Sequence, residues 1–296
     1  MCIKKKFDFF FYDMIKKRDA YETNRTETAF LQIYKGNNQE EAIQKLDPTI
    51  PKELLFIYDV VWGYENINKF MSFLSDPTSI PIQDIYVRRV EDMIEMVKSI
   101  IHASCEYALE NPIQNKKIYR YENNKNLECY EKGEIPCMKS TSQSHSEATV
   151  FHYKDTTPLV YQIEDGFIPY IAMEEVVEGE FFKDEKEILF PPFLKVEKTD
   201  QMENTWSGDY QVIKIKDSFD DIVYVDTEEQ EKTFQEAMKD FEECFSEAKK
   251  RGEVTPELLE KITIIRDYIR DNARKMYAFY QTKYQMKQLE EELKKM

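Results

Sequence analysis

Two glutamates stand one residue apart in the stretch KDEKEILFPPF, which covers residues 183–193. Glu185 and Glu187 are followed at once by the apolar letters ILF, which predict a short strand beginning near the pair. Because residues i and i+2 of a strand point to the same face, both carboxylates are expected to face one cleft. Taken alone, such a pair is more typical of a charged strand edge that discourages aggregation.

Two further groups suited to chemistry lie earlier in the chain. Arg120 stands in the alternating segment IYRYE, and a run of three hydroxyl residues, Ser140-Thr141-Ser142, follows in CMKSTSQS. The planar guanidinium of arginine offers a fork of donors that suits phosphate oxygens. Hydroxyl groups can hold a ribose or brace a carboxylate. Each group alone is typical of an ion pair or a turn, so their ordered occurrence is what indicates a site.

In this order and rough spacing, the three groups resemble the signature of the mono-ADP-ribosyltransferases. That family includes the cholera-type and clostridial-type toxins and their vertebrate and phage relatives. The resemblance covers about residues 116–216, where the segments YEKGEIPCMKSTS and DEKEILFPPFLKVE also fit. Family members often have glycine directly after the strand arginine, whereas this chain has Tyr121.

The resemblance implies an enzyme that uses NAD as a substrate and needs no metal. Glu187 would stabilise the oxocarbenium-like cation that forms when the bond from ribose to nicotinamide breaks. Glu185 would orient or deprotonate the acceptor, and a glutamate at this position implies arginine on a target protein. Phe181 and Phe182 stand in the loop that contacts the acceptor in the family, although they could equally fold into the core. The residues implied to bind NAD are Arg120, Ser140, Thr141 and Ser142.

Three regions are expected to position these groups. Apolar residues at helical spacing predict an N-terminal helical region over residues 1–115, with one helix capped by Asp84 and stopped at Asn111-Pro112. Short alternating segments predict a β core over residues 116–225, and helices return over residues 226–296. The fold class predicted is α+β, with two packed antiparallel sheets of ADP-ribosyltransferase type and helices from both ends, in one compact unit or as separate domains.

The chain of 296 residues carries 41 Lys and Arg against 57 Asp and Glu, a formal net charge of -16, which argues against a nucleic-acid acceptor. The five cysteines show no metal-ligand spacing and indicate a reducing compartment. No classical signal peptide or membrane span is predicted, so a cytoplasmic protein, or one exported without such a signal, is expected. An antitoxin or chaperone could bind the terminal helices.

Three alternative functions stay open from the sequence. The acceptor could be a nucleic acid, as in toxin–antitoxin or anti-phage relatives, or water, which would give simple NAD hydrolysis. The third alternative is a degenerate transferase-like fold that only binds partners, and Tyr121 in place of glycine keeps it open.

Overall fold

The structure, a computed structural model, describes residues 63–87, 89–113, 116–149, 153–163, 166–173, 186–216 and 227–295. The end of the predicted β core, from residue 217, and the first 62 residues of the chain lie outside these ranges. So do three predicted site residues, which are Glu185, Phe181 and Phe182.

Helices flank a β region, as the sequence predicted. Single 3-10 turns cover Ile82–Asp84 and Asn124–Asn126. The described α-helices are α1 (Tyr64–Ser75), α2 (Val90–Glu110), α3 (Glu128–Glu131), α4 (His145–Ala148), α5 (Thr227–Met238), α6 (Phe241–Arg251) and α7 (Pro256–Lys295).

The boundary between α6 and α7 follows the capping residues of the sequence. Gly252 ends α6 with a φ of 77°, a left-handed conformation that glycine adopts without a steric cost. Pro256 is the first residue of α7, and the Thr255 hydroxyl accepts a hydrogen bond from the Leu258 N–H at 3.3 Å. These local signals predict the two helix ends correctly because they need no distant partner.

The start of α2 differs from the sequence prediction. The helix begins at Val90, and Asp84 lies in a separate 3-10 turn instead of capping it. Arg89 precedes the helix with a φ of 52°, and the Val90 N–H donates to Glu242 of α6 at 2.8 Å. A side chain 152 residues away therefore caps this helix, which local sequence spacing cannot reveal.

The described strands form one sheet. They are β1 (Lys117–Asn123), β2 (Lys139–Ser142), β3 (Thr156–Ile163), β4 (Ile171–Ala172), β5 (Glu187–Phe190), β6 (Val196–Thr205) and β7 (Gly208–Ile215). Their order across the seven-stranded sheet is β4-β5-β2-β1-β3-β7-β6.

The predicted pair of antiparallel sheets is therefore wrong in the described part of the chain. The structure has a single mixed sheet, in which β3 and β7 run parallel from the pair Leu159 and Gln211 to the pair Ile163 and Ile215. The other neighbouring strands are antiparallel. Alternating polarity predicts that a segment is a strand, but it does not determine which strand lies beside it or in which direction.

The helices pack on this sheet around one continuous hydrophobic core. Helix α7 contacts α1, α2, α5 and α6. It buries residues at three- and four-residue spacing, including Ile262, Ile265, Ile269 and Ala273. Each fully buried isoleucine contributes roughly 1.5–3 kcal/mol relative to an exposed one. No helix within the described ranges is both long enough and apolar enough to cross a membrane.

Candidate active site

Strands β2 and β5 bring Ser140 beside Glu187. The two strands are antiparallel neighbours, and Ser142 pairs directly with Glu187. Ser140 lies two residues back on the same face of β2, so the two side chains are diagonal neighbours across the ladder. The Ser140 hydroxyl donates a hydrogen bond to Glu187 Oε1 at 2.5 Å. Glu187 is 4% exposed while Ser140 is exposed, so this contact lies where the buried carboxylate approaches the surface.

The other two hydroxyl residues of the run fix the backbone around this contact. The Thr141 hydroxyl donates to the carbonyl of Ile188 at 2.7 Å and so ties β2 to the residue after Glu187. The Ser142 hydroxyl accepts a hydrogen bond from the Ser144 N–H at 3.0 Å and shapes the turn that follows β2. Of the three residues, Ser140 therefore contacts a carboxylate, while Thr141 and Ser142 contact the backbone.

Arg120 joins the site from the neighbouring strand β1. Its Nη1 donates to the backbone carbonyl of Ser140, and its Nε donates to Glu122 Oε2 at 3.0 Å. The contacts run from Arg120 through Ser140 to Glu187, although the sequence separates these residues by 20 and 47 positions. The Arg120 side chain is 25% exposed, and these two contacts occupy two of its five N–H donors.

Strand alternation separates the arginine from the serine side chain. Tyr119 pairs with Ser142, so β1 residues with odd numbers share a face with Ser140 and Ser142. Arg120 is on the opposite face and reaches the backbone of Ser140, not its hydroxyl. In the described ladder, β1 and β2 pair at one position, Tyr119 with Ser142. The Arg120 guanidinium adds a second link between these strands, because it donates to the Ser140 carbonyl.

Glu122 accepts hydrogen bonds from several directions and is completely buried. Burial alone would raise the pKa of its carboxyl group. The nearby cations of Arg120 and Lys139 outweigh that effect and hold the pKa well below its ordinary value of 4.5. For Arg120, burial would lower the pKa, but the Glu122 carboxylate raises it above the ordinary value. Both groups are therefore charged at neutral pH. The contact of 2.8 Å from Lys139 Nζ to Glu122 Oε2 further stabilises the charged carboxylate.

Glu122 and Lys139 are not among the site residues predicted from the sequence. Glu122 follows Arg120 by two residues in an alternating segment, so strand periodicity does place both on one face. Lys139 directly precedes Ser140, but its pairing with Glu122 depends on the register between β1 and β2. That register is not readable from the sequence.

The backbone directly before Glu187 differs from the extended strand expected through Glu185 and Glu187. Strand β5 begins at Glu187, and Lys186 before it has a φ of 46°, which is a left-handed turn conformation. The alternation argument needs an extended Lys186, so it no longer supports a shared face for the two glutamates, which stays a prediction. The Gln143 N–H donates to the Lys186 carbonyl at 3.1 Å and holds this turn against the end of β2. Glu185 itself lies outside the described residues.

Tyr121 occupies the position where the resembling family often has glycine, and its side chain lies on the face of β1 opposite Arg120, which is the face shared with Ser140. It is 7% exposed and accepts a hydrogen bond from the Tyr210 hydroxyl at 2.8 Å. Together with Ala148, Val160 and Val212, these residues form a small second hydrophobic cluster. The tyrosine therefore packs away from Arg120 and does not compete with it for space.

Metal ligands are not clustered in the described ranges, where no group of three or more His, Cys, Asp or Glu is arranged to hold an ion. The expectation that no metal is needed stays a prediction.

Two solved structures of bacterial proteins are similar to part of the chain. One is the ADP-ribosyltransferase HopU1 of Pseudomonas syringae pv. Tomato DC3000, with 12% identity and a TM-score of 0.34, covering 52% of this chain and 65% of that one. The chain thus spans just under two thirds of the length of HopU1. Another is exoenzyme S from Pseudomonas aeruginosa, solved with human 14-3-3 protein beta and carba-NAD, also at 12% identity and a TM-score of 0.34, covering 64% and 88%. No protein-family model and no curated protein sequence matches the chain.

Proposed function

We propose that the protein is an NAD-dependent mono-ADP-ribosyltransferase that cleaves NAD and transfers ADP-ribose to a macromolecule. The observation that carries this proposal is the 2.5 Å hydrogen bond from the Ser140 hydroxyl to Glu187 Oε1, with Arg120 bound to the carbonyl of the same serine. Three candidate residues that are distant in sequence are thus in contact, which supports the proposal.

Glu187 has the chemistry to assist cleavage of NAD. The bond between the ribose anomeric carbon and the nicotinamide nitrogen breaks with its electron pair going to the ring, and neutral nicotinamide leaves. Positive charge then develops on the ribose, and a fixed carboxylate stabilises it. The Ser140 hydroxyl restricts the rotation of the Glu187 side chain, so that the carboxylate is oriented before NAD binds.

Arg120 and the hydroxyl residues are assigned to NAD binding. The Arg120 side chain is a quarter exposed, and its guanidinium uses two N–H donors within the protein, so its chemistry suits a pyrophosphate oxygen. Ser140 is exposed beside Glu187 and is suited to a ribose hydroxyl. Thr141 and Ser142 support the site through the backbone contacts of β2.

The acceptor is proposed to be an arginine side chain on a target protein. Its guanidinium nitrogen bonds to the anomeric carbon and loses a proton, which Glu185 is assigned to accept. Phe181 and Phe182 are assigned to contact the target. These three assignments rest on the sequence resemblance alone.

The proposal is tested with NAD that carries a tag on its adenine, incubated with the protein and a cell lysate. We expect labelled lysate protein with the wild type and with the matched carboxylate variant Glu197→Gln. Glu197 lies on the edge strand β6 and forms an ion pair with Lys216. Glu187→Gln should abolish the label. Glu185→Gln should abolish transfer but leave slow nicotinamide release. Label on nucleic acid, or nicotinamide release with no label, would replace the protein acceptor by nucleic acid or water.

A further inference from the structure

We propose that Glu122 is a positioning residue of the NAD site, which sets the orientation of the Arg120 guanidinium and ties β2 to β1. The inference rests on the proposed function, because Arg120 is the residue through which Glu122 acts. Nothing in the motif resemblance assigns a role to this residue. Its side chain is 1% exposed and so has no access to substrate itself.

The contacts of Glu122 converge from four elements. Oε2 accepts from Arg120 Nε at 3.0 Å, from Lys139 Nζ at 2.8 Å and from the Tyr130 hydroxyl at 2.9 Å. Oε1 accepts from Asn126 Nδ2 at 2.9 Å and from the backbone N–H of Asn123 at 3.2 Å. An ionised carboxylate offers about four lone-pair sites, so these donors saturate it and fix its position.

Strand register explains why this carboxylate touches both cations. Tyr119 pairs with Ser142, and in the same antiparallel register Glu122 stands opposite Lys139. Arg120 lies two residues before Glu122 on the same face of β1. One carboxylate therefore links the arginine of β1 to the residue that directly precedes Ser140 on β2. The arginine in turn binds the carbonyl of Ser140.

The charge balance of this cluster favours an anionic ligand. Two cations share one carboxylate, so the cluster carries one surplus positive charge. The Lys139 side chain is 3% exposed and the Arg120 side chain is 25% exposed, so Arg120 is the cation that presents the surplus at the surface. A pyrophosphate such as that of NAD matches this charge, and a guanidinium held by its Nε presents its terminal nitrogens in a fixed direction.

The test measures nicotinamide release as a function of NAD concentration. We expect Glu122→Gln to raise KM for NAD by about 10-fold or more, with a smaller change in kcat, because a charge-assisted contact that orients Arg120 is lost. The control is Glu134→Gln, which breaks a partly exposed ion pair with Arg274 of α7 and should leave KM unchanged.

A double-mutant cycle separates positioning from folding. If Glu122 acts through Arg120, then Glu122→Gln should add little to the KM effect of Arg120→Ala, whereas independent effects would multiply. Glu122→Gln combined with Lys139→Met removes one anion and one buried cation, and provides a charge-balanced background if the single variant unfolds. An unchanged KM in a folded Glu122 variant of an active protein overturns the positioning role and leaves the proposed function standing.

A second measurement does not depend on activity. The Nε–H resonance of Arg120 in nitrogen-15 NMR spectra should be protected from exchange with water in the wild type and in Glu134→Gln, and should lose that protection in the charge-balanced Glu122 variant. Equal protection in all three proteins would show that Glu122 does not hold the Arg120 Nε–H group. A wild type that releases no nicotinamide overturns the proposed function, and the positioning role with it, even where the resonance is protected.

Discussion

Replacing Lys139 by methionine tests the buried charge cluster behind the site. The Lys139 side chain is 3% exposed and the Glu122 side chain is 1% exposed. Lys139 Nζ lies 2.8 Å from Glu122 Oε2. Removing one partner of a buried pair costs about 3–5 kcal/mol. Arg120, Tyr130 and Asn126 still contact the Glu122 carboxylate in the variant, and methionine retains most of the apolar volume of the lysine stem. We therefore expect a loss near the lower limit, about 3 kcal/mol of unfolding free energy.

The assay is denaturant unfolding at pH 7, in which the midpoint falls while the slope stays constant. In a thermal scan, a loss of this size lowers Tm by about 6–12 °C for a domain of this length. The control is Lys132→Met, because that side chain is 58% exposed in its ion pairs with Glu128 and Asp76. We expect less than about 0.5 kcal/mol for the control. Equal stabilities of the two variants would refute the reasoning that the Glu122 carboxylate depends on a buried cation.

Two further predictions concern pH and the serine contact. The pKa of Glu122 is lower in the folded protein than its ordinary value of 4.5, so its contribution to stability is complete above about pH 4.5 and is lost as the pH falls below that value. Between pH 7 and pH 3, unfolding free energy should fall more steeply in the wild type than in Glu122→Gln, and parallel profiles would contradict this sign. Ser140→Ala should slow nicotinamide release by about 10- to 100-fold, because Glu187 loses an orienting hydrogen bond. Melting temperature should stay within error of Ser79→Ala, a matched exposed serine, and unchanged nicotinamide release would rule out an orienting role for Ser140.

The parts of the structure that the sequence predicted depend on local chemistry. Strand β1 follows from the alternation of IYRYE, and the end of α6 follows from Gly252. The parts that were wrong or overlooked depend on distant contacts. The parallel pairing of β3 with β7 and the capping of Val90 by Glu242 both join segments far apart in the chain. Neither leaves a local pattern that could be recognised.

The same division holds within the candidate site. Arg120, Ser140 and Glu187 were chosen as candidates by type and order, and the structure brings them into contact, while their roles stay predictions. The turn before Glu187 was not predictable, because no local pattern marks the positive φ of Lys186. The partner of Arg120 was missed for a different reason. A buried carboxylate in an alternating segment looks in sequence like any polar strand residue.

The decisive measurement for the proposed function is nicotinamide release from NAD by the purified protein. We expect the wild type and Glu197→Gln to release nicotinamide at equal rates. Glu187→Gln should be slower by about 100- to 1000-fold, because it removes the charge that stabilises the ribosyl cation. Its affinity for NAD and its melting temperature should remain close to those of the wild type. Release by Glu187→Gln at the wild-type rate, or a folded wild type that binds no NAD and releases no nicotinamide, would contradict the account.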